Sequence, residues 1–145
     1  MPSIDVHAVA GLFSEDSEQV LAQELAQAAL RAEGLEPAPF LLEKSWVFFH
    51  RHAPSAVRTG AGTPAQHPVR VQILTPYGRL RPEVRADLVR EVSAIVNRVT
   101  GDPTQSERTF VLIGETADGG WGLAGFTGAQ LVEWATGHAA GPADN

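Results

Sequence analysis

The order of elements repeats, and that repeat limits the chain to few folds. A proline-opened segment, a helical stretch and an apolar segment occupy residues 2–52 and recur in residues 67–125, offset by about 65 residues. In the first copy Ile4, Val6 and Ala8 alternate with Ser3, Asp5 and His7, the period of a half-buried strand. Ser14-Glu15-Asp16 then starts a helix, with acids where its dipole favours them. Leu21, Leu25, Ala28 and Ala32 fall at helical spacing over residues 15–32, and Gly34 closes the helix. LEPAPF reads as a rigid connection, and SWVFF (Ser45–Phe49) as a strand apolar on both faces. In the second copy PVRVQIL (Pro68–Leu74) is the opening strand. Pro82 suits the first turn of a helix whose inner face carries Val84, Leu88, Val92, Ile95 and Val99. TFVLIG (Thr109–Gly114) is a second strand apolar throughout. A parallel β-α-β crossover is right-handed and sets its helix on one face of the sheet. The expectation is an α/β chain: two β-α-β units, one four-stranded sheet, two helices on one face. One domain is expected over residues 1–135, with 136–145 a flexible tail.

Two helices cover only one face of such a sheet. Yet Trp46 to Phe49 and Phe110 to Ile113 are apolar at successive positions, so both faces want cover. Another copy of the chain is the expected cover, which makes the protein an oligomer with a shared interior. The net charge of −6 argues against nucleic acid and leaves no polybasic membrane patch. No segment reads as a membrane span or signal peptide, and a cytoplasmic location is expected on that ground. The absence of cysteine leaves the redox compartment open.

The chemistry centres on Pro2. Methionine before a small residue is normally removed, which would leave Pro2 as a free secondary amine. An α-amino group titrates near ~8, and burial or nearby cations favour its neutral form. Such an amine can take a proton beside a carbonyl and return it elsewhere; left protonated, it polarises a carbonyl as an acid. Arg79 and Arg81, in GRLR, carry forked heads suited to a carboxylate and would supply those cations. Tyr77, the one tyrosine, could donate a hydrogen bond to a substrate carbonyl. His50 and His52 share one side of a strand, but no third ligand has metal-site spacing, so no metal is expected. No phosphate-loop pattern occurs, and residues 53–66 read as a lid or a long connection.

The run PVRVQILTPYGRLRPEVRADLVREVSAIVNRVTG, followed by TFVLIGETADGGWGLAG, resembles a unit of 4-oxalocrotonate tautomerase. With a proline-led half in front, the chain is similar to two-unit members of the tautomerase superfamily over residues 2 to about 132, and most of all to malonate semialdehyde decarboxylase. The resemblance implies a homotrimer in the macrophage migration inhibitory factor fold, a mixed sheet whose units run antiparallel at its centre, and no cofactor. That arrangement sets the start of strand one beside the end of strand three, bringing Pro2 next to Thr75–Arg81. Arg79 falls on the family's substrate-binding arginine. The Arg79–Arg81 spacing matches the decarboxylase, with Leu80 in place of a proline. Glu43 is the acid nearest to the decarboxylase's aspartate, and reads more readily as a solvated loop residue. Trp121 falls on the aromatic position beside the proline, where it would supply an apolar wall.

The expected function is keto–enol tautomerisation of a small oxo- or enol-carboxylic acid, with Pro2 as general acid and base. A decarboxylase or hydratase acting on a β-keto acid is the near alternative, and a non-catalytic binding module with this fold the distant one.

Overall fold

The computed structural model describes residues 1–131 and residue 133. Four strands, β1 (Ser3–Val9), β2 (Val47–His52), β3 (Val69–Thr75) and β4 (Thr109–Glu115), form one sheet in the order β2-β1-β3-β4. β1 pairs parallel with β2, and β3 parallel with β4. The central pair β1–β3 is antiparallel, with Ser3 opposite Leu74 and Ile4 opposite Ile73. Each outer strand is thus the return strand of a β-α-β unit, and the two units meet back to back, as the repeat requires.

The crossovers are α1 (Glu15–Ala32) and α3 (Pro82–Thr100). Ser14 caps α1 by accepting a hydrogen bond from the Ser17 backbone N–H at 3.1 Å. Pro82 sits in the first turn of α3, and Gly101 ends it with φ of 71°, a left-handed conformation that glycine adopts without strain. Both helices lie on one face, where Leu21, Leu25, Leu88 and Val92 bury against Ile4, Val6, Val71 and Ile73. The helices are also tied to each other by the Arg98–Glu24 (2.7 Å) and Arg31–Glu91 (2.8 Å) ion pairs.

The other face is open. Val47, Phe49, Val111 and Ile113 pack on the core, while Phe48, Phe110 and Leu112, which alternate with them, are exposed. This is how an apolar run on an outer strand divides between two faces.

Three details differ from the sequence reading. LEPAPF does not run as a connection throughout: Pro39–Lys44 forms a short helix, α2, because proline is compatible with a first helical turn. β2 begins at Val47 rather than Ser45, since the Ser45 hydroxyl donates to the Leu41 carbonyl at 2.8 Å and belongs to the end of α2. After β4 the chain makes a small hairpin, β5 (Gly122–Leu123) with β6 (Phe126–Thr127), turned by Ala124 and Gly125, both with positive φ. The expected tail, residues 136–145, lies outside the described residues.

Candidate active site

Strand register decides where the first residues go. Pro2 continues the buried face of β1, on which Ile4, Val6 and Ala8 lie, and is itself buried. The next position of the β1–β3 ladder after Ser3–Leu74 sets it beside Thr75, which is fully buried. α1 runs back antiparallel to β1, so its C-terminal end returns to the same corner. The residue there is Glu33, the C-cap of α1.

Glu33 is buried, and its Oε2 accepts a hydrogen bond from the Met1 amine at 2.7 Å. Burial pushes its carboxyl above the ordinary carboxylate range; the N-terminal amine and Arg79 pull it back. Among the described residues, three buried side-chain oxygens have no hydrogen-bond partner: Glu33 Oε1, Thr75 Oγ1 and Thr116 Oγ1. The two threonines are neighbours, because the Thr116 N–H donates to the Thr75 carbonyl at 2.9 Å. Unpaired polar atoms are costly in a protein interior, and all three stand on segments that meet around Pro2.

Beside this corner lies a cleft of about 310 Å³ lined by Tyr77, Arg79, Thr116, Asp118 and Trp121, among others. The Tyr77–Arg79 loop is pinned from β4. Glu115 accepts from the Gly78 N–H at 3.2 Å and from Arg85 Nη2 at 2.8 Å, and those two contacts hold its carboxyl below the usual range. Gly78 turns the loop with φ of 74°, a value that disfavours side chains. Trp121, the residue just before β5, lines the same cleft.

Of the residues singled out from the sequence, Tyr77, Arg79 and Trp121 therefore share one cleft. Pro2 does not line it; Thr75 and Thr116 connect the two. Arg81 is at the start of α3 with 78% of its side chain exposed, 3.7 Å from Glu83. Glu43 is exposed on α2 and lines a separate cleft with Gln19, Gln23 and Trp46. His50 and His52 lie on the open sheet face with His7. His7 Nδ1 is 2.9 Å from His52 Nε2, and the His7 ring stacks on His50. Among the described residues no three His, Cys, Asp or Glu side chains are placed to hold a metal ion.

Glu33 is the site residue that the sequence reading missed. One signal was present: a carboxylate at the end of a helix, beside Gly34, faces the negative end of the helix dipole and is disfavoured there unless another charge holds it.

No protein-family model and no curated protein matches the sequence. Solved structures do match it. The R7 fused 4-OT wild-type asymmetric trimer aligns at TM-score 0.71 and 22% identity, over 90% of this chain and 98% of that one. N1, a member of the cis-3-chloroacrylic acid dehalogenase family, aligns at TM-score 0.75 and 20% identity, over 92% and 91%. Pt0534, inactivated by 2-oxo-3-pentynoate, aligns at TM-score 0.71 and 19% identity, over 89% and 98%.

The chain has the tautomerase fold.

In this fold the two halves of the chain are the two β-α-β units, and coverage of nine-tenths of the chain means that both are matched, not one. No described helix is long and apolar enough to cross a membrane.

Proposed function

We propose that this chain is an enzyme of the tautomerase superfamily that acts without a cofactor on a small oxo- or enol-carboxylic acid, with the Pro2 nitrogen, freed by removal of Met1, as the proton-transferring group. The observation that carries this reading is the corner itself. A buried chain start, a buried carboxylate on the terminal amine and an arginine-lined cleft meet at one end of the sheet.

Arg79 binds the substrate carboxylate through its fork, and Trp121 excludes water from one side. Tyr77 donates to the carbonyl oxygen. Pro2 removes a proton from the carbon beside the carbonyl, whose C–H pair becomes the enol double bond, and returns it to the carbonyl oxygen, so that one nitrogen acts as base and then as acid. Arg81 joins the carboxylate clamp only by leaving Glu83 and turning into the cleft, and Glu43 reaches it only from α2; Arg79 is the first assignment. A homotrimer closes the open sheet face, in keeping with the trimer formed by the fused 4-OT neighbour. Inactivation of the Pt0534 neighbour by 2-oxo-3-pentynoate supports a short oxo acid as the substrate class.

Decarboxylation of a β-keto acid, the activity of malonate semialdehyde decarboxylase, is the second reading. The acid on the terminal amine favours it, because a protonated nitrogen polarises a carbonyl instead of abstracting a proton. Intact mass together with two assays tests both readings: ketonisation of phenylenolpyruvate, and release of carbon dioxide from malonate semialdehyde. The purified chain should begin at Pro2 and turn over one of these substrates, and Pro2→Ala should abolish that turnover. Full turnover by Pro2→Ala would remove the proposal.

A further inference from the structure

The end of the sheet away from Pro2 carries a second concave site. β1 rises about 3.3 Å per residue, which puts Ala8 roughly 20 Å from Pro2. There a cavity of about 560 Å³, larger than the cleft at Arg79, opens between the sheet and the loop that follows β2. Four of its lining side chains are basic: His7 on β1, His52 on β2, Arg70 on β3 and Arg58 on the loop. Among the described residues no acid lines it, in a chain whose net charge is −6. Neither guanidinium has a carboxylate partner among the described residues. Their hydrogen bonds run from Arg58 Nη1 to Thr63 Oγ1 at 2.8 Å and from Arg70 Nη2 to His7 Nε2 at 3.1 Å. Arginine only donates, so His7 Nε2 accepts, and its Nδ1 carries the proton donated to His52 Nε2 at 2.9 Å. The contacts pass from Arg70 through His7 to His52 without meeting an anion. Asp5, the acid of β1, is held by His50 at 2.6 Å. The other walls are apolar, among them Val57, Pro68 and the exposed ring of Phe110.

We propose that this cavity binds a small organic carboxylate with an aromatic body, its anion held between Arg58 and Arg70 and its ring against Phe110 and Pro68. Forked guanidinium heads match the two oxygens of a carboxylate. A concave apolar wall with a few convergent polar groups is what a small-molecule site requires, and the volume is in the usual range for one. The site stands apart from Pro2 and does not depend on the reaction proposed there. Its occupation is linked to His7. The charged and titratable groups facing His7 are Asp5 on its own strand, His50 and His52 on β2, and Arg70 on β3. A bound carboxylate offsets the Arg70 charge and favours protonated His7. By linkage, protonation of His7 then favours the carboxylate, so binding tightens as pH falls.

The test is calorimetric titration with phenylacetate of an Arg79→Ala chain, in which the cleft at the other end of the sheet has lost its guanidinium. One site per chain should remain, and adding Arg58→Ala or Arg70→Ala should weaken it at least about tenfold. Phenylacetamide, which lacks the charge, should not bind, and acetate, which lacks the ring, should bind at least about tenfold more weakly. In the unaltered chain, phenylacetate should move the ¹⁵N resonances of His7 and raise its titration midpoint, and its affinity should increase from about pH 7.5 to 6. That measurement keeps the test available if a variant fails to fold. Absence of binding in Arg79→Ala together with unmoved His7 resonances in the unaltered chain overturns the proposal, as does binding that survives loss of both Arg58 and Arg70. Equal binding of phenylacetamide overturns it too. If phenylacetate does not bind and Arg58→Ala changes the mass of the assembly instead, the two guanidiniums serve a carboxylate of another copy, and the proposal is overturned in favour of that contact.

Discussion

At the scale of single residues, two arginines that the sequence presents as a pair stand in different places. Arg79 lines the cleft, and Arg81 points to solvent beside Glu83. A charged hydrogen bond to a carboxylate is worth about 1.5–3 kcal/mol. Arg79→Ala should therefore lower kcat/KM by about tenfold to a hundredfold, mostly through KM, while Arg81→Ala should change it less than about threefold. Steady-state kinetics on both variants checks this, and equal losses would contradict the division. That Tyr77, Arg79 and Trp121 share a cleft was legible because each is a distinctive residue type at a fixed offset from an element end. The place of Glu33 was not, since an acid near a helix end is usually a solvated residue, and only the fold shows that α1 returns it to the start of the chain, against the Met1 amine.

At the scale of elements, the periodic segments were readable and the short ones were not. α1 spans the predicted residues 15–32, and α3 begins at the Pro82 that marked its first turn. α2 has six residues, too few for a helical period to show, and two nearby prolines mask it. α3 carries the cover of the second unit: Leu88, Val92 and Val96 are each at most 2% exposed. Leu88→Ala should cost about 2–5 kcal/mol through lost transfer energy and the cavity left behind. Urea denaturation should show a lower midpoint at unchanged slope; a loss under about 1 kcal/mol would mean that α3 packs more loosely than described.

At the scale of the whole molecule, the open face of the sheet dominates. Phe110 is 67% exposed on β4 and Phe48 is 51% exposed on β2, and such large apolar side chains on a sheet mark an interface. Light scattering should give three times the mass of the chain, and Phe110→Glu should reduce that mass; an unassociated wild-type chain would contradict the assembly. Across the middle of this face runs a polar group: His7, His50, His52, Asp5 and Arg70. His7 is held below the ordinary imidazole value of 6.5, first by burial and then by Arg70, His50 and His52, with Asp5 opposing. The unfolded chain therefore binds the His7 proton more tightly than the folded one. Stability is full above pH 6.5 and is lost as pH falls from there through the folded value. Urea midpoints measured from about pH 7.5 to 5 should decline, and less steeply in His7→Gln. The sequence showed His50 and His52 on one strand face. It could not show His7 between them, because that contact depends on the β1–β2 register, which sets His7 opposite His50.

The most direct test of the account is the mass of the N-terminal peptide after the protein is incubated with a small halogenated oxo acid. The account predicts a peptide that begins at Pro2 and carries the adduct on its ring nitrogen, and unmodified enzyme when a carboxylate competitor fills the Arg79 cleft first. A peptide that still begins with Met1, or an adduct formed elsewhere while Pro2 stays free, would contradict it.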